Sequence, residues 1–306
     1  MHKVFIDGSA GTTGLKIYQR LSLRDDIELI TLSEDMRKDI NARKQALNSA
    51  DVAFLCLPDQ AAIEAVSLVE NPNTAIIDTS TAHRTNPNWT YGFPEIAGLR
   101  DKIKSSKRIA NPGCHASGFI ALVQPLVERG LINKDAYLSC FSITGYTGGG
   151  KKMIAEYEDN APELYKAPRQ YGLTQTHKHL PEMQTICGLE NAPHFSPIVA
   201  DFDRGMEVTV QLFDKDLNGS IKDVIDAYKS VYVGDVVKFV DQADEGGFLS
   251  ASAMKNKDAM QISVHGNEKR ILLVARFDNL GKGASGAAIQ NMNVLIGAQE
   301  TKGLDL

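Results

Sequence analysis

Apolar positions in the first 110 residues fall into short continuous runs separated by stretches with helical spacing. Residues 4–6, 27–32, 52–57 and 75–78 are compact apolar runs; 15–23, 40–47 and 60–69 place apolar residues on one helical face. Strands that are apolar throughout need cover on both faces, so the alternation predicts a doubly wound parallel α/β sheet. A further short strand over 108–111 stops at Pro112-Gly113, and a helical pattern follows from about 116 to 129. The texture changes after about residue 138. Residues 206–213, 259–264 and 270–277 alternate in the manner of Val208, Val210 and Leu212, which predicts an antiparallel sheet with one solvated face. Residues 159–176 are polar with interspersed aromatics and prolines, and the chain from about Ala284 reads as a terminal helix returning to the first domain.

At 306 residues the chain is long enough for two domains and needs no disulfide or metal staple. A net charge of −5 with scattered basic residues leaves no footprint for nucleic acid or an anionic membrane. The densest basic cluster, Lys102, Lys104, Lys107 and Arg108, reads as a solvated face. No apolar run approaches the ~20 residues of a membrane span, and the N-terminus enters a strand without a signal-peptide pattern, so a cytoplasmic protein is expected. The four cysteines have irregular spacing, which favours reduced thiols over disulfides or zinc. Cys56 and Cys140 lie in apolar runs and read as small core residues.

Candidate chemistry begins with Gly8-Ser9-Ala10-Gly11-Thr12-Thr13-Gly14, which follows a strand and opens a helix. Glycines there allow a tight turn and let backbone N–H groups approach a pyrophosphate, so a nicotinamide dinucleotide is expected. Beyond the second strand, Ser33, Arg37 and Lys38 suit the 2′-phosphate of NADP, although Glu34 and Asp35 lie in the same stretch. In Asn111-Pro112-Gly113-Cys114-His115, the Pro-Gly break puts Cys114 at or near a helix start, where N–H donors and the dipole favour a thiolate. Thr176-His177-Lys178-His179-Leu180-Pro181-Glu182 supplies a candidate acid/base. On an extended segment the two histidines point to opposite faces, so one alone is expected to reach Cys114, and spacing does not choose between them. His115 reads as a structural neighbour of the cysteine, while His83 belongs to no constellation. Three polar clusters remain: 78–84 at a strand end, the glycine-rich 142–151, and 278–286 leading into the terminal helix. No metal site is expected.

Taken together, Asp7–Gly14, residues 78–84, Tyr91-Gly-Phe-Pro-Glu95, Asn-Pro-Gly-Cys, His-Lys-His-Leu-Pro-Glu and Asn279-Leu-Gly-Lys-Gly-Ala-Ser-Gly resemble the N-acetyl-γ-glutamyl-phosphate reductase family in its shorter bacterial form. The resemblance spans nearly the whole chain in order. It implies a Rossmann-like domain over 1–113 plus 284–306, and an α+β catalytic domain over 114–283 similar to that of glyceraldehyde-phosphate dehydrogenases. It also implies NADPH-dependent reduction of N-acetyl-L-glutamyl 5-phosphate through a thioester on Cys114. His177 becomes the acid/base, with His179, Arg84, Asn111, Gly145, Lys151 and Glu182 as substrate contacts. Pro58, Ser80, Asn279, Lys282 and Gly283 join the 8–14 loop, Ser33, Arg37 and Lys38 at the cofactor. A homo-oligomer, dimer or tetramer, is implied too. The same chemistry on aspartyl phosphate or a carrier-linked aminoadipyl phosphate, and a non-catalytic NADP-binding sensor, are the alternatives.

Overall fold

The first unit of the chain is built on a six-stranded sheet in the order β2-β1-β3-β4-β6-β5, with every pairing parallel. In the computed structural model, which describes every residue except Asn160, this unit comprises residues 1–94, 98–112 and 284–304. Its elements are β1 (His2–Asp7), α1 (Thr12–Leu21), β2 (Ile27–Ile30), α2 (Ile40–Ser49), β3 (Val52–Leu55), α3 (Asp59–Ser67), β4 (Ala75–Asp78), β5 (Thr90–Tyr91), α4 (Leu99–Ser105) and β6 (Arg108–Ala110). Two apolar layers flank the sheet. Ile6, Phe54 and Ile77 pack with Ile17, Leu21, Ile289 and Met292 on one face; Phe5, Ala53 and Ile76 pack with Leu47, Ala62 and Ala65 on the other. Strands β3 and β4 are buried at every position, as two-sided cover requires. The terminal helix is shorter than its pattern suggested: it runs from Gly286 to Ile296 and stops at Gly297, whose φ of +70° only glycine adopts readily. Arg108 is half-buried with Nη1 donating to the Thr74 carbonyl, so it leaves the solvated face that its lysine neighbours share.

The second unit comprises residues 95–97, 113–283 and 305–306. It contains α5 (Cys114–Glu128), β7 (Ser139–Gly145), α6 (Gly150–Glu158), β8 (Arg169–Gln170), α7 (Leu180–Cys187), β9 (His194–Ala200), β10 (Met206–Phe213), α8 (Ile221–Val231), β11 (Val237–Phe239), β12 (Met260–Asn267) and β13 (Arg270–Phe277). Its seven strands lie in the order β11-β12-β13-β10-β7-β9-β8. The three alternating runs, β10, β12 and β13, pair antiparallel as expected, and the sheet as a whole is mixed because β7 runs parallel to β9 and β11 parallel to β12. Alternation itself holds on β10, where Met206, Val208, Val210 and Leu212 are buried while Gln211 and Phe213 are exposed.

Helix α5 packs on this sheet. A Cβ at Gly118 would lie 2.5 Å from Val208 Cγ2, so the helix backbone approaches β10 as only glycine allows. The helix is buried almost all round, which marks it as a core element. Pro125 inside it cannot donate to the Ala121 carbonyl, and the Tyr232 hydroxyl donates to that carbonyl instead.

Candidate active site

The turn after β1 closes on itself. Gly11 N donates to the Gly8 carbonyl at 2.9 Å, and Gly8 has a φ of +86°. A Cβ on Gly8 would stand 2.3 Å from the Cys56 carbonyl oxygen, and one on Gly14 would stand 2.4 Å from the Gly8 carbonyl oxygen. These glycines are therefore required by close backbone approach. Gly11 begins α1 without a side-chain cap, leaving first-turn N–H groups free of internal partners. Beside this turn lies a cavity of about 730 Å³, walled by Gly8, Ser9, Ala10, Leu15, Tyr18, Thr31, Leu32, Arg37, Lys38 and Arg43 among others. A glycine cradle at a helix start, an apolar slot and cationic walls fit a phosphorylated dinucleotide. Of the residues expected at the cofactor in this unit, Gly8, Ser9, Ala10, Arg37 and Lys38 line the cavity. Gly11, Thr12, Thr13, Gly14, Ser33, Pro58 and Ser80 are not in its wall. Arg43 was missed by sequence reasoning. It reaches the cavity from α2, held by Asp7 Oδ2 at 2.9 Å, and burial raises the Asp7 carboxyl despite that partner.

At the end of β4, Asp78 organises the 79–84 loop. It accepts from Ser80 N and Ser80 Oγ, and its Oδ2 lies 2.6 Å from His83 Nδ1. The His83 ring stacks on Trp89 at 4.0 Å. His83 therefore belongs to a buried cluster after all; the contact with Trp89 has no spacing signature because a loop makes it. Arg84 is buried, with Nε donating to the Asn111 carbonyl and Nη2 to the Thr79 carbonyl. The Asn111 side chain donates to the Ala284 carbonyl and accepts from Asn291 Nδ2, so it also braces its own unit.

In the second unit Cys114 is the first residue of α5, two positions earlier than the apolar pattern indicated, because Gly113 takes the N-cap with extended backbone and no side-chain cap. The thiol is half-buried. Gly113 N donates to Glu182 Oε1 at 2.8 Å, which ties the residue before the cysteine to the first turn of α7. That turn begins at His179, so the His-x-His segment is brought to the start of α5 by a buried carboxylate.

The segment is a turn, not an extended strand, and this overturns the expectation of opposite-facing histidines. Leu180 N donates to the His177 carbonyl, and the two rings stand 4.8 Å apart, nearly perpendicular. Both face His115, with centroids 5.9 Å and 5.6 Å from it. His177 Nδ1 accepts from His179 N at 3.2 Å, so the neutral His177 ring carries its proton on Nε2. Burial, reinforced by Lys178, lowers the His177 pKa to about 4. Burial and the neighbouring His177 lower that of His115 to about 3. Cys56 and Cys140 are held as thiols by burial, Cys56 at about 12.

The remaining expected residues frame this unit. Gly145 has no room for a side chain, since a Cβ would lie 2.6 Å from the Asp203 carbonyl oxygen. Lys151 stands exposed in the first turn of α6. Asn279 accepts from Gly205 N and donates to Thr147 Oγ1, joining two loops. Lys282 is buried with Nζ 2.9 Å from both oxygens of Glu95. Gly283 faces Cys114, whose Cβ would lie 3.1 Å from an added methyl. Among the described residues, no group of three or more His, Cys, Asp or Glu is placed to hold a metal ion, and no helix is long and apolar enough to cross a membrane.

Two family models match this chain: the NAD binding domain of semialdehyde dehydrogenases over residues 3–106, and their dimerisation domain over residues 114–279. The chain is 45% identical to N-acetyl-gamma-glutamyl-phosphate reductase 2 of Nostoc sp., with 99% of each chain covered. It is 47% identical to the N-acetyl-gamma-glutamyl-phosphate reductase of Brucella ovis, covering 96% of this chain and 99% of that one. The chain belongs to the N-acetyl-gamma-glutamyl-phosphate reductase family. Among solved structures, aspartate semialdehyde dehydrogenase II of Vibrio cholerae, complexed with ASA, is similar with a TM-score of 0.73 at 15% identity, covering 97% of this chain and 98% of that one. Aspartate semialdehyde dehydrogenase with NADP from Candida albicans is similar with a TM-score of 0.67 at 15% identity, over 97% and 98% of the two chains. At that identity the likeness is one of fold.

Proposed function

We propose that the protein reduces N-acetyl-L-glutamyl 5-phosphate to N-acetyl-L-glutamate 5-semialdehyde and phosphate with NADPH, in arginine biosynthesis. The observation that carries this reading is Cys114 at the uncapped start of α5, joined through Gly113 and Glu182 to the segment bearing His177 and His179, in a member of this family. The first unit is the cofactor domain and the second the catalytic domain. Gly8, Ser9 and Ala10 would hold the dinucleotide phosphates, and Arg37 and Lys38 the 2′-phosphate that selects NADP over NAD. The bound cofactor supplies a hydride to the acyl carbon.

The protein's own groups do the rest. Cys114 sulfur attacks the acyl carbon, the carbon–phosphate oxygen bond breaks, and a thioester forms. The proton released as the Cys114 thiol becomes a thiolate passes through His177, whose ring carries it transiently as the imidazolium, to the departing phosphate, and solvent replaces it after turnover. After hydride addition the carbon–sulfur bond breaks, releasing the aldehyde and restoring the thiolate. First-turn N–H groups of α5 stabilise the oxygen that becomes negative in both additions. His179, Arg84, Asn111, Gly145, Lys151 and Glu182 form or brace the substrate site, and Ser80, Pro58, Asn279, Lys282 and Gly283 the nicotinamide side. The dimerisation-domain match supports a homo-oligomer.

The reverse reaction tests the reading. With phosphate and NADP, a panel of semialdehydes followed at the NADPH absorbance should give the highest kcat/KM with N-acetylglutamate semialdehyde. A preference for aspartate semialdehyde or an aminoadipate derivative reassigns the substrate, and no phosphate-dependent reduction with any of them overturns the enzyme.

A further inference from the structure

His115 follows the nucleophile of the proposed reaction and has a more organised setting than a packing residue needs. Its ring is buried at 3% exposure, with Nδ1 2.7 Å from Ser142 Oγ on β7 and Nε2 2.6 Å from Tyr171 Oη just beyond β8. The rings of His177, His179 and Phe195 surround it at 5.3–5.9 Å. Three groups share these two hydrogen bonds: two hydroxyls and an imidazole that burial keeps neutral, each with one proton.

Two arrangements are available. In one, Tyr171 donates to Nε2 and Nδ1–H donates to Ser142. The Ser142 hydroxyl then holds a proton with no acceptor, because the residue is 0% exposed and His115 is its one side-chain partner among the described residues. In the other, Ser142 donates to Nδ1 and Nε2–H donates to Tyr171 Oη. The buried Ser142 hydroxyl and both nitrogens of His115 are then satisfied, and the surplus proton sits on the hydroxyl of the half-buried Tyr171. Buried donors are rarely left unpaired, which selects the second arrangement. The Tyr171 ring also lies 5.9 Å from that of His177, the proposed acid/base partner of Cys114, and burial, with the charge of Cys114 second, pushes its hydroxyl pKa up, so the phenol stays protonated. Its backbone is fixed by the bond from Tyr171 N to the Pro197 carbonyl at 3.0 Å.

We propose that Tyr171 is a further hydrogen-bond donor to negative charge at the Cys114 site, and that Ser142 and His115 are positioning residues that keep its proton available. This rests on Cys114 being the nucleophile.

The test reads kcat and KM alongside the pH profile of Cys114 alkylation by iodoacetamide. Tyr171→Phe should lower kcat roughly tenfold, the loss expected for one hydrogen bond to a charged group, with KM kept within about twofold. It should also move the alkylation profile to higher pH. His115→Leu should match it, whereas His115→Gln, whose carboxamide can still donate to Tyr171 Oη, should recover most of the rate. The double variant Tyr171→Phe/His115→Leu should be no slower than either single variant, because one chain of bonds is broken twice. Full rate and an unmoved profile in Tyr171→Phe overturn the proposal, as do losses that multiply in the double variant. Should His115→Leu fail to fold, Tyr171→Phe decides alone, since it removes a single half-buried oxygen. Cys114→Ser is the control: turnover persisting in that variant defeats the nucleophile assignment itself, while its loss beside a fully active Tyr171→Phe defeats the donor alone.

Discussion

Two of the chain's passages from strand through a glycine-bearing turn into a helix that no side chain caps have different outcomes. At β1–α1 the turn is repeated glycine: Gly8 at φ +86° and Gly14 against the Gly8 carbonyl leave the helix start open beside a cavity. At β6–α5 it is Pro112-Gly113, with Gly113 at φ −80°, a conformation open to any residue. Helix α1 exposes part of its surface, whereas α5 is buried nearly all round and offers only its first residue, Cys114, to chemistry. One turn has been emptied of side chains so that a ligand's phosphates approach the backbone. The other presents a single side chain against a packed helix. A helix start is thus a binding element or a reactive one according to what the turn places on it.

That contrast is easiest to break at the second turn. Cys114→Ser should cost roughly 10⁴-fold or more in turnover and remove stoichiometric alkylation, with cofactor affinity unchanged. His177→Asn should cost about 10²–10⁴-fold in kcat, the range for a positioned acid/base; a larger loss from His179→Asn would exchange the two roles. At the first turn the effects fall on binding. Gly8→Ala should destabilise the fold by more than about 1 kcal/mol, since the added carbon meets the Cys56 carbonyl, and dinucleotide binding followed by fluorescence should weaken with it. Arg37→Ala should weaken NADPH about tenfold, one charge-assisted contact, and leave NADH affinity as it was. Equal losses for both cofactors would remove Arg37 from the 2′-phosphate.

The smallest effect is on acid stability. His115 and His177 are held neutral at about 3 and about 4, against 6.5 for the free side chain. Below about pH 6.5 the unfolded chain takes up protons there that the folded chain refuses. Their contribution therefore makes stability fall as pH drops from about 6.5 toward 3. The urea midpoint should follow, and Tyr171→Phe should leave that slope in place.

Much of this protein was readable along the chain. Uninterrupted apolar strands demanded a parallel sheet covered on both faces, the 8–14 glycines announced a backbone approach, and Pro112-Gly113 ended a strand where Cys114 could begin a helix. These features rest on interactions within a few residues, where sterics and hydrogen bonding are local. Tertiary structure decided the rest. His177 and His179 face the same ring because a turn carries them, and Glu182 ties that turn to Gly113 from 69 positions away. Arg43 reaches the cavity because Asp7 holds it, and His83 finds Trp89 across a loop. Tyr171 meets His115 over 56 residues of chain. Such contacts depend on how separate elements pack, and no spacing along the sequence encodes them.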